Sequence, residues 1–240
     1  MAEASGPSTA AAERPLGAFP AQGYTEDTDP DCLPDEVAAD MLRAAPWRRI
    51  ALIGDSTAHG AGDPSPGYRE MYWAPRVLQV LRQAVGEVEF LNTGRINATT
   101  RQVLDEQLDA ALAFGPDLLY IACGGNDLWT DNPDYAAAED NLNRICAAGQ
   151  AIGARLATMT IADAVPEHIP ALRPFHARLD ELNKVIRRVA ERYDAILVDL
   201  WWHPVGHRPT VMSADNIHFN ISGHAVVAAE VVKALAAADR

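Results

Sequence analysis

From Trp47 onward, short apolar runs of β character alternate with longer stretches of helical period, and this alternation limits the possible folds more than any other feature. The strand-like runs fall at 49–54, 88–92, 117–123, 154–161 and 195–200, and the helical stretches at 72–85, 100–114, 135–152, 175–193 and 222–237. Strand and helix in strict succession require right-handed crossovers and place the strands parallel, with both sheet faces covered. The expected architecture is a flavodoxin-like three-layer α/β/α sandwich around a five-stranded parallel sheet. No internal repeat competes with that reading.

Residues 1–46 differ in composition, being rich in Ala, Pro, Gly, Ser and acids, with a breaker-rich acidic patch at 25–31. They read as an N-terminal extension to a domain at 47–240. Within the extension, 35–45 has helical preferences between Pro34 and Pro46. It is expected either as a partly disordered tail or, over 20–46, as a lid or dimer contact.

At 240 residues and 48% hydrophobic, the chain can bury one substantial core. Its net charge of −13, without a dense basic cluster, argues against nucleic acid or an anionic membrane as partner. Residues 1–20 lack the apolar segment of a secretory signal, and no run of about eighteen apolar residues occurs, so a soluble, cytoplasmic protein is expected. Lys184 and Lys233 are the only lysines amid many arginines and alanines, which points to a GC-rich bacterial genome. Cys32, Cys123 and Cys146 have no spacing that suggests a disulfide framework or a zinc site.

The first strand-like run ends in Gly54-Asp55-Ser56. Alone, that tripeptide is as much a capped turn as the seat of a nucleophile. The test is where other reactive residues fall, because ligands of open α/β sheets bind beyond the strands' carboxyl ends. Asn92, Gly94 and Asn97 follow the second run, Asn126 and Asp127 the third, and Asp215 and His218 precede the last helix. All project to the edge that carries Ser56. A serine hydroxyl needs an imidazole to take its proton, and the imidazole needs an orienting partner. His218 and Asp215, three residues apart in a loop, supply both. For a developing oxyanion, the available donors are the Ser56 amide, the Asn97 amide and the Asn126 side chain.

These blocks, Gly54-Asp55-Ser56, Gly124-Gly125-Asn126-Asp127 and Asp215-Asn216-Ile217-His218, resemble those of the SGNH hydrolases, the GDSL esterase/lipase family. The resemblance spans 50–224 and not the extension. It implies Ser56 as nucleophile, His218 as general base, Asp215 as its orienter, and the Ser56 amide with Asn126 as oxyanion donors. One block departs: the family usually has an asparagine, then four residues, then a glycine, and at that spacing after Asn92 this chain has Asn97. Asparagine keeps the amide and tolerates left-handed backbone, but its side chain takes space that glycine leaves open. Gly94 is the lower-ranked alternative for that glycine. The run after Ser56 lacks the Gly-x-Ser-x-Gly elbow of the α/β-hydrolases.

Three further residues are candidates for substrate contact: Arg95 for an anion, and Trp129 and Trp201 for an acyl or leaving-group pocket. His59 and His224 read as structural, and Pro204 and Gly206 break the helix that would align His203 and His207 on a metal. The expectation is therefore a serine hydrolase acting on a small-molecule carboxylic ester, without metal or cofactor. An acyltransferase using the same acyl-enzyme, and a non-catalytic binding module with an altered oxyanion hole, are the alternatives. Oligomeric state is not legible.

Overall fold

The computed structural model describes residues 23–166, 168–208 and 210–238. The strands are β1 (Arg49–Gly54), β2 (Glu89–Asn92), β3 (Leu118–Ala122), β4 (Arg155–Met159) and β5 (Ile196–Val198). They form one parallel sheet in the order β2-β1-β3-β4-β5, the expected flavodoxin-like three-layer arrangement.

Alternation along the strands divides the core in two. Ile50, Leu52, Leu118, Tyr120 and Met159 face one layer, built from α1 (Asp35–Met41), α3 (Trp73–Val85) and α8 (Ile221–Ala238). Ala51, Ile53, Leu119, Ile121 and Leu156 face the other, built from α4 (Thr100–Glu106), α5 (Leu108–Phe114), α6 (Tyr135–Ala151) and α7 (Arg173–Arg192). Both faces are apolar because both are covered, each fully buried Leu or Ile contributing about 1.5–3 kcal/mol. Helix α8 is long and apolar enough to cross a membrane by length and composition, but 67% of it is buried against the sheet and α3.

Two strand ends are finished by buried side-chain amides. The expected single helix over 100–114 is broken at Gln107, which stands four residues from the fully buried Val103 and Ala111. Its carboxamide accepts from Gly54 N and donates to Gly54 O, both at 2.8 Å. It takes up ladder positions that β2 no longer supplies. The expected strand over 154–161 stops at Met159, and Asn183 of α7 pairs with Ile161 in the same way, at 2.9 and 2.8 Å. Beyond β5, Thr160 Oγ1 accepts from the amides of Leu200 and Trp201 and so ends that strand early. A carboxamide has one donor and one acceptor in peptide-like geometry, so it can close a backbone that has left the sheet.

Residues 23–46 include the expected helix and pack on the domain. Helix α1 packs on α3 and α8, and Leu42 and Ala45 share an apolar cluster with Trp47, so packing is continuous across residue 46. Residues 1–22 lie outside the described residues.

Candidate active site

Ser56 owes its position to the two residues before it. Gly54 has φ +152°, and a Cβ there would meet Ala122 O at 1.9 Å, so only glycine lets β1 approach β3 this closely before turning. Asp55 then accepts from Thr57 N at 2.8 Å, capping the four-residue helix α2 (Ser56–His59) that begins at Ser56. Burial pushes the Asp55 carboxyl up to about 6, against the pull of its hydrogen bonds from Thr57.

Asp215 and His218 occupy the tip of a small hairpin in the β5–α8 connection. Met212 and Phe219 form its antiparallel bridge, and Ser213 N donates to His218 O at 2.8 Å. Asn216, at φ 57°, makes the turn. Asp215 Oδ1 accepts from the amides of Ile217 and His218 at 2.9 and 3.0 Å, leaving Oδ2 to His218 Nδ1 at 2.6 Å. Partial burial opposes ionisation of Asp215, yet the His218 amide and ring and the Ile217 amide hold its carboxyl below the usual range. An ionised carboxylate only accepts, so the proton sits on Nδ1 and His218 Nε2 presents a lone pair. That nitrogen lies 2.8 Å from Ser56 Oγ. The relay Ser56–His218–Asp215 is therefore assembled across 162 residues of chain.

The candidate oxyanion donors converge on the same place. Asn126, on the turn Gly125–Leu128 after β3, donates to Ala98 O at 3.1 Å, which uses one of its two amide protons. Asp127 ties that turn to the start of α4 by accepting from Thr100 N and Oγ1 at 2.9 and 2.7 Å. Asn97 has φ 65°, the left-handed conformation, and lines the cavity with Ser56 and Asn126. Among the described residues, neither the Ser56 nor the Asn97 amide meets an acceptor. Gly94 is elsewhere: a Cβ on it would fall 2.6 Å from His59 N, so it serves the packing of the β2 loop on α2. Asn92 fastens that loop, donating to Ala58 O at 2.7 Å and accepting from Gly94 N at 2.8 Å.

Ser56, Asn97, Asn126 and His218 open onto a cavity of about 560 Å³. Its walls are mostly apolar, including Met159, Ile161, Val165, Leu179 and Val227, and among the described residues no lysine or arginine lines it. Trp129 lines the cavity half-exposed, its ring 4.1 Å from that of Phe175. Two sequence candidates are not there. Trp201 is buried in the apolar cluster against α7, and Arg95 is an exposed residue paired with Glu106 at 2.7 Å, so neither lines the cavity. His59 Nδ1 lies 3.1 Å from Gly94 O. His224 borders the cavity with Nε2 on Ala61 O at 2.9 Å, and burial lowers its pKa to about 4, which keeps it neutral. His203 Nδ1 accepts from Val205 N, and among the described residues no group of three or more His, Cys, Asp or Glu is placed to hold a metal ion.

Sequence reasoning missed two supports. Asp63 accepts from Ala214 N and donates its own amide to Ser213 Oγ, at 2.8 and 2.9 Å, steadying the hairpin; 150 residues of intervening chain hide that relation. Gln107 carried a readable signal, a polar residue within a buried helical stripe.

The model of the GDSL-like lipase/acylhydrolase family matches residues 52–226. The chain belongs to this family. Every residue of the relay and every candidate oxyanion donor lies inside the matched span, and residues 23–46 lie outside it. Among solved structures, the lipase/acylhydrolase from Enterococcus faecalis is similar at 25% identity, with 80% of this chain and 96% of that chain covered and a TM-score of 0.63. An acetylxylan esterase from Geobacillus stearothermophilus shares the fold at 19% identity, covering 78% and 94% with a TM-score of 0.63. The psychrotrophic esterase EstA from Pseudoalteromonas sp., in a structure inhibited by monoethylphosphonate, shares it at 20% identity, covering 78% and 96% with a TM-score of 0.59. No curated protein sequence matches the chain significantly.

Proposed function

We propose that the protein is a cofactor-independent serine hydrolase that cleaves a neutral carboxylic ester with an apolar acyl group. The observation that carries this reading is the hydrogen-bonded series from Ser56 Oγ through His218 to Asp215, at a cavity lined by two residues whose amides are free. In the first half-reaction Ser56 Oγ attacks the acyl carbonyl as His218 Nε2 takes the hydroxyl proton. The Ser56 amide, the Asn97 amide and the second Asn126 amide proton receive the oxyanion, each worth about 10²–10³ in rate. His218 returns the proton to the leaving alcohol. Water, deprotonated by His218, then releases the carboxylic acid and restores Ser56.

The substrate class follows from the walls. A cavity of about 560 Å³ exceeds what an acetyl group fills, and among the described residues its walls hold no lysine or arginine to partner a charged acyl chain. The esterases among the structural neighbours are consistent with an ester as the bond cleaved. The same acyl-enzyme is open to acyl transfer, but residues 23–46 line no part of the cavity, which removes the support that a covering lid would give.

The test is turnover of p-nitrophenyl acetate and p-nitrophenyl octanoate by wild type and Ser56→Ala, with and without an alcohol acceptor. Ser56-dependent release that favours octanoate and ignores the acceptor is expected. Acceptor-accelerated release with acylated acceptor would replace hydrolysis by transfer. Absence of turnover, together with no phosphonate adduct on Ser56, would leave a binding module.

A further inference from the structure

Residues 23–33 lie outside the span matched by the family and line no part of the cavity, yet they reach both loops that hold the hairpin bearing Asp215 and His218. The junction is Asp29, whose side chain is fully buried. Its carboxylate accepts from Arg208 Nη1 and Nη2 at 2.6 and 2.8 Å, from the Tyr68 hydroxyl at 2.8 Å and from Asp31 N at 3.0 Å. Arg208, itself buried, also pairs with Asp31.

Arg208 and Tyr68 lead to the hairpin by separate routes. Arg208 stands at its root: Arg208 O accepts from Val211 N at 3.4 Å, Val211 O from Asn220 N at 2.9 Å, and the Met212–Phe219 bridge follows. Tyr68 closes the glycine-rich loop that contains Asp63, whose carboxylate and amide engage Ala214 and Ser213 and whose carbonyl accepts from Ile221 N at 2.9 Å. In that loop a Cβ on Gly62 would fall 2.1 Å from Phe219 O, so the loop lies directly against the hairpin. At its other end Glu26 N donates to Gly67 O at 2.9 Å.

One buried carboxylate thus joins the N-terminal segment, the glycine-rich loop and the hairpin root. A buried ion pair of this kind adds little net stability over apolar residues of the same shape, but losing one partner leaves the other charge uncompensated and drives its loop toward water. We propose that Asp29 is a positioning residue for the acid–base pair: through Arg208 and Tyr68 it fixes the hairpin that presents His218 Nε2 to Ser56 Oγ. This rests on the hydrolase reading above. Displacements near 1 Å far from the chemistry can cost about 10²-fold in rate, so the consequence falls on turnover.

The experiment compares Asp29→Asn, Arg208→Lys and Asp117→Ala with wild type in the full chain, well below every melting midpoint. Asp117 is the control: it accepts from the amides of Arg48 and Arg49 at the opposite edge of the sheet, so its loss destabilises without touching the hairpin. Three readouts are taken: kcat and KM per titrated Ser56 on p-nitrophenyl octanoate, the melting midpoint, and the low-field proton resonance of His218 Nδ1–H, assigned by its loss in His218→Asn. Asp29→Asn should lower kcat roughly 10- to 100-fold with KM within about twofold, and shift or abolish the low-field resonance. Arg208→Lys, which keeps the charge but not the two-pronged geometry, should fall between. Asp117→Ala should lower the midpoint and leave kcat and the resonance as in wild type.

If Asp29→Asn lowers only the midpoint, or if Asp117→Ala loses turnover and the resonance as well, the segment is a brace and the proposal is wrong. Should Asp29→Asn not fold, Tyr68→Phe removes one donor and carries the same comparison. A wild type that shows the resonance but hydrolyses no ester would overturn the proposed function alone, and the resonance would still decide the role of Asp29.

Discussion

Gln107, at the break between α4 and α5, is hydrogen-bonded through both ends of its carboxamide to the backbone of Gly54, two residues before Ser56. Gly54 is paired with β3 on its other side, so the turn into Ser56 is gripped between a strand and a side chain. Gln107→Leu keeps the volume and leaves Gly54 N buried without a partner, while Gly54 O keeps the Arg95 amide at 3.1 Å. One such group costs about 1–3 kcal/mol, and urea unfolding should show a loss of that size. Phosphonylation of Ser56 should slow as its turn loosens. A variant as stable as wild type would mean that water replaces the amide.

Asn97 and Asn126 should respond differently to substitution. In the proposed mechanism Asn97 offers a main-chain donor from left-handed backbone, which glycine adopts freely, so Asn97→Gly should keep kcat within about threefold. Asn97→Val, β-branched and unsuited to φ 65°, should lower kcat by about 10²-fold, as for a lost oxyanion donor. Asn126→Ala removes a side-chain donor and should cost about 10²–10³ in kcat. Steady-state kinetics on one ester with all three variants gives the order.

The stability of the protein should carry the signature of Asp55. Its carboxyl titrates near 6 in the fold and near 3.8 when free, so between those values the folded state binds the proton that the unfolded state has released. The contribution of Asp55 therefore falls as pH rises through this window, by up to about 3 kcal/mol, and stays low above it. Asp55→Asn has no such titration. Urea melts from pH 4 to 7 should show the stability difference moving toward the variant as pH rises. A difference that is flat with pH would remove the assignment.

Trp129 is the sequence-nominated aromatic that does border the cavity, with half its surface exposed beside Phe175. Trp129→Ala should lower kcat/KM for p-nitrophenyl octanoate about tenfold and leave p-nitrophenyl acetate nearly unchanged, because only the longer chain reaches that wall. Equal losses on both esters would place Trp129 in support of the Asn126 turn instead.

The sheet was legible because parallel strands covered on both faces must read as apolar runs, and Ser56, Asn126, Asp215 and His218 because their type and order recur at strand ends. Asn97 was located by its spacing from Asn92. Trp201 and Arg95 were placed on the right edge and the wrong surface: sequence position names the end of a strand but not the side chain's direction after the turn. Trp201 goes into the core, and Arg95 finds Glu106 across a helical segment. The packing of residues 23–46 was hidden for another reason. Its acidic, breaker-rich composition signals poor self-association, whereas Asp29 is satisfied by Arg208, 179 residues away.

Ser56 and His218 belong to parts of the molecule with different resistance to opening. Ser56 lies just past β1, an interior strand with partners on both sides. His218 sits on a hairpin with a single isolated bridge, tethered by loop carbonyls, carboxylates and one buried arginine over a small apolar cluster of Val205, Val211 and Val226. On gradual heating the enzyme should therefore fall silent while its far-ultraviolet dichroism is still that of the native sheet, and recover on cooling.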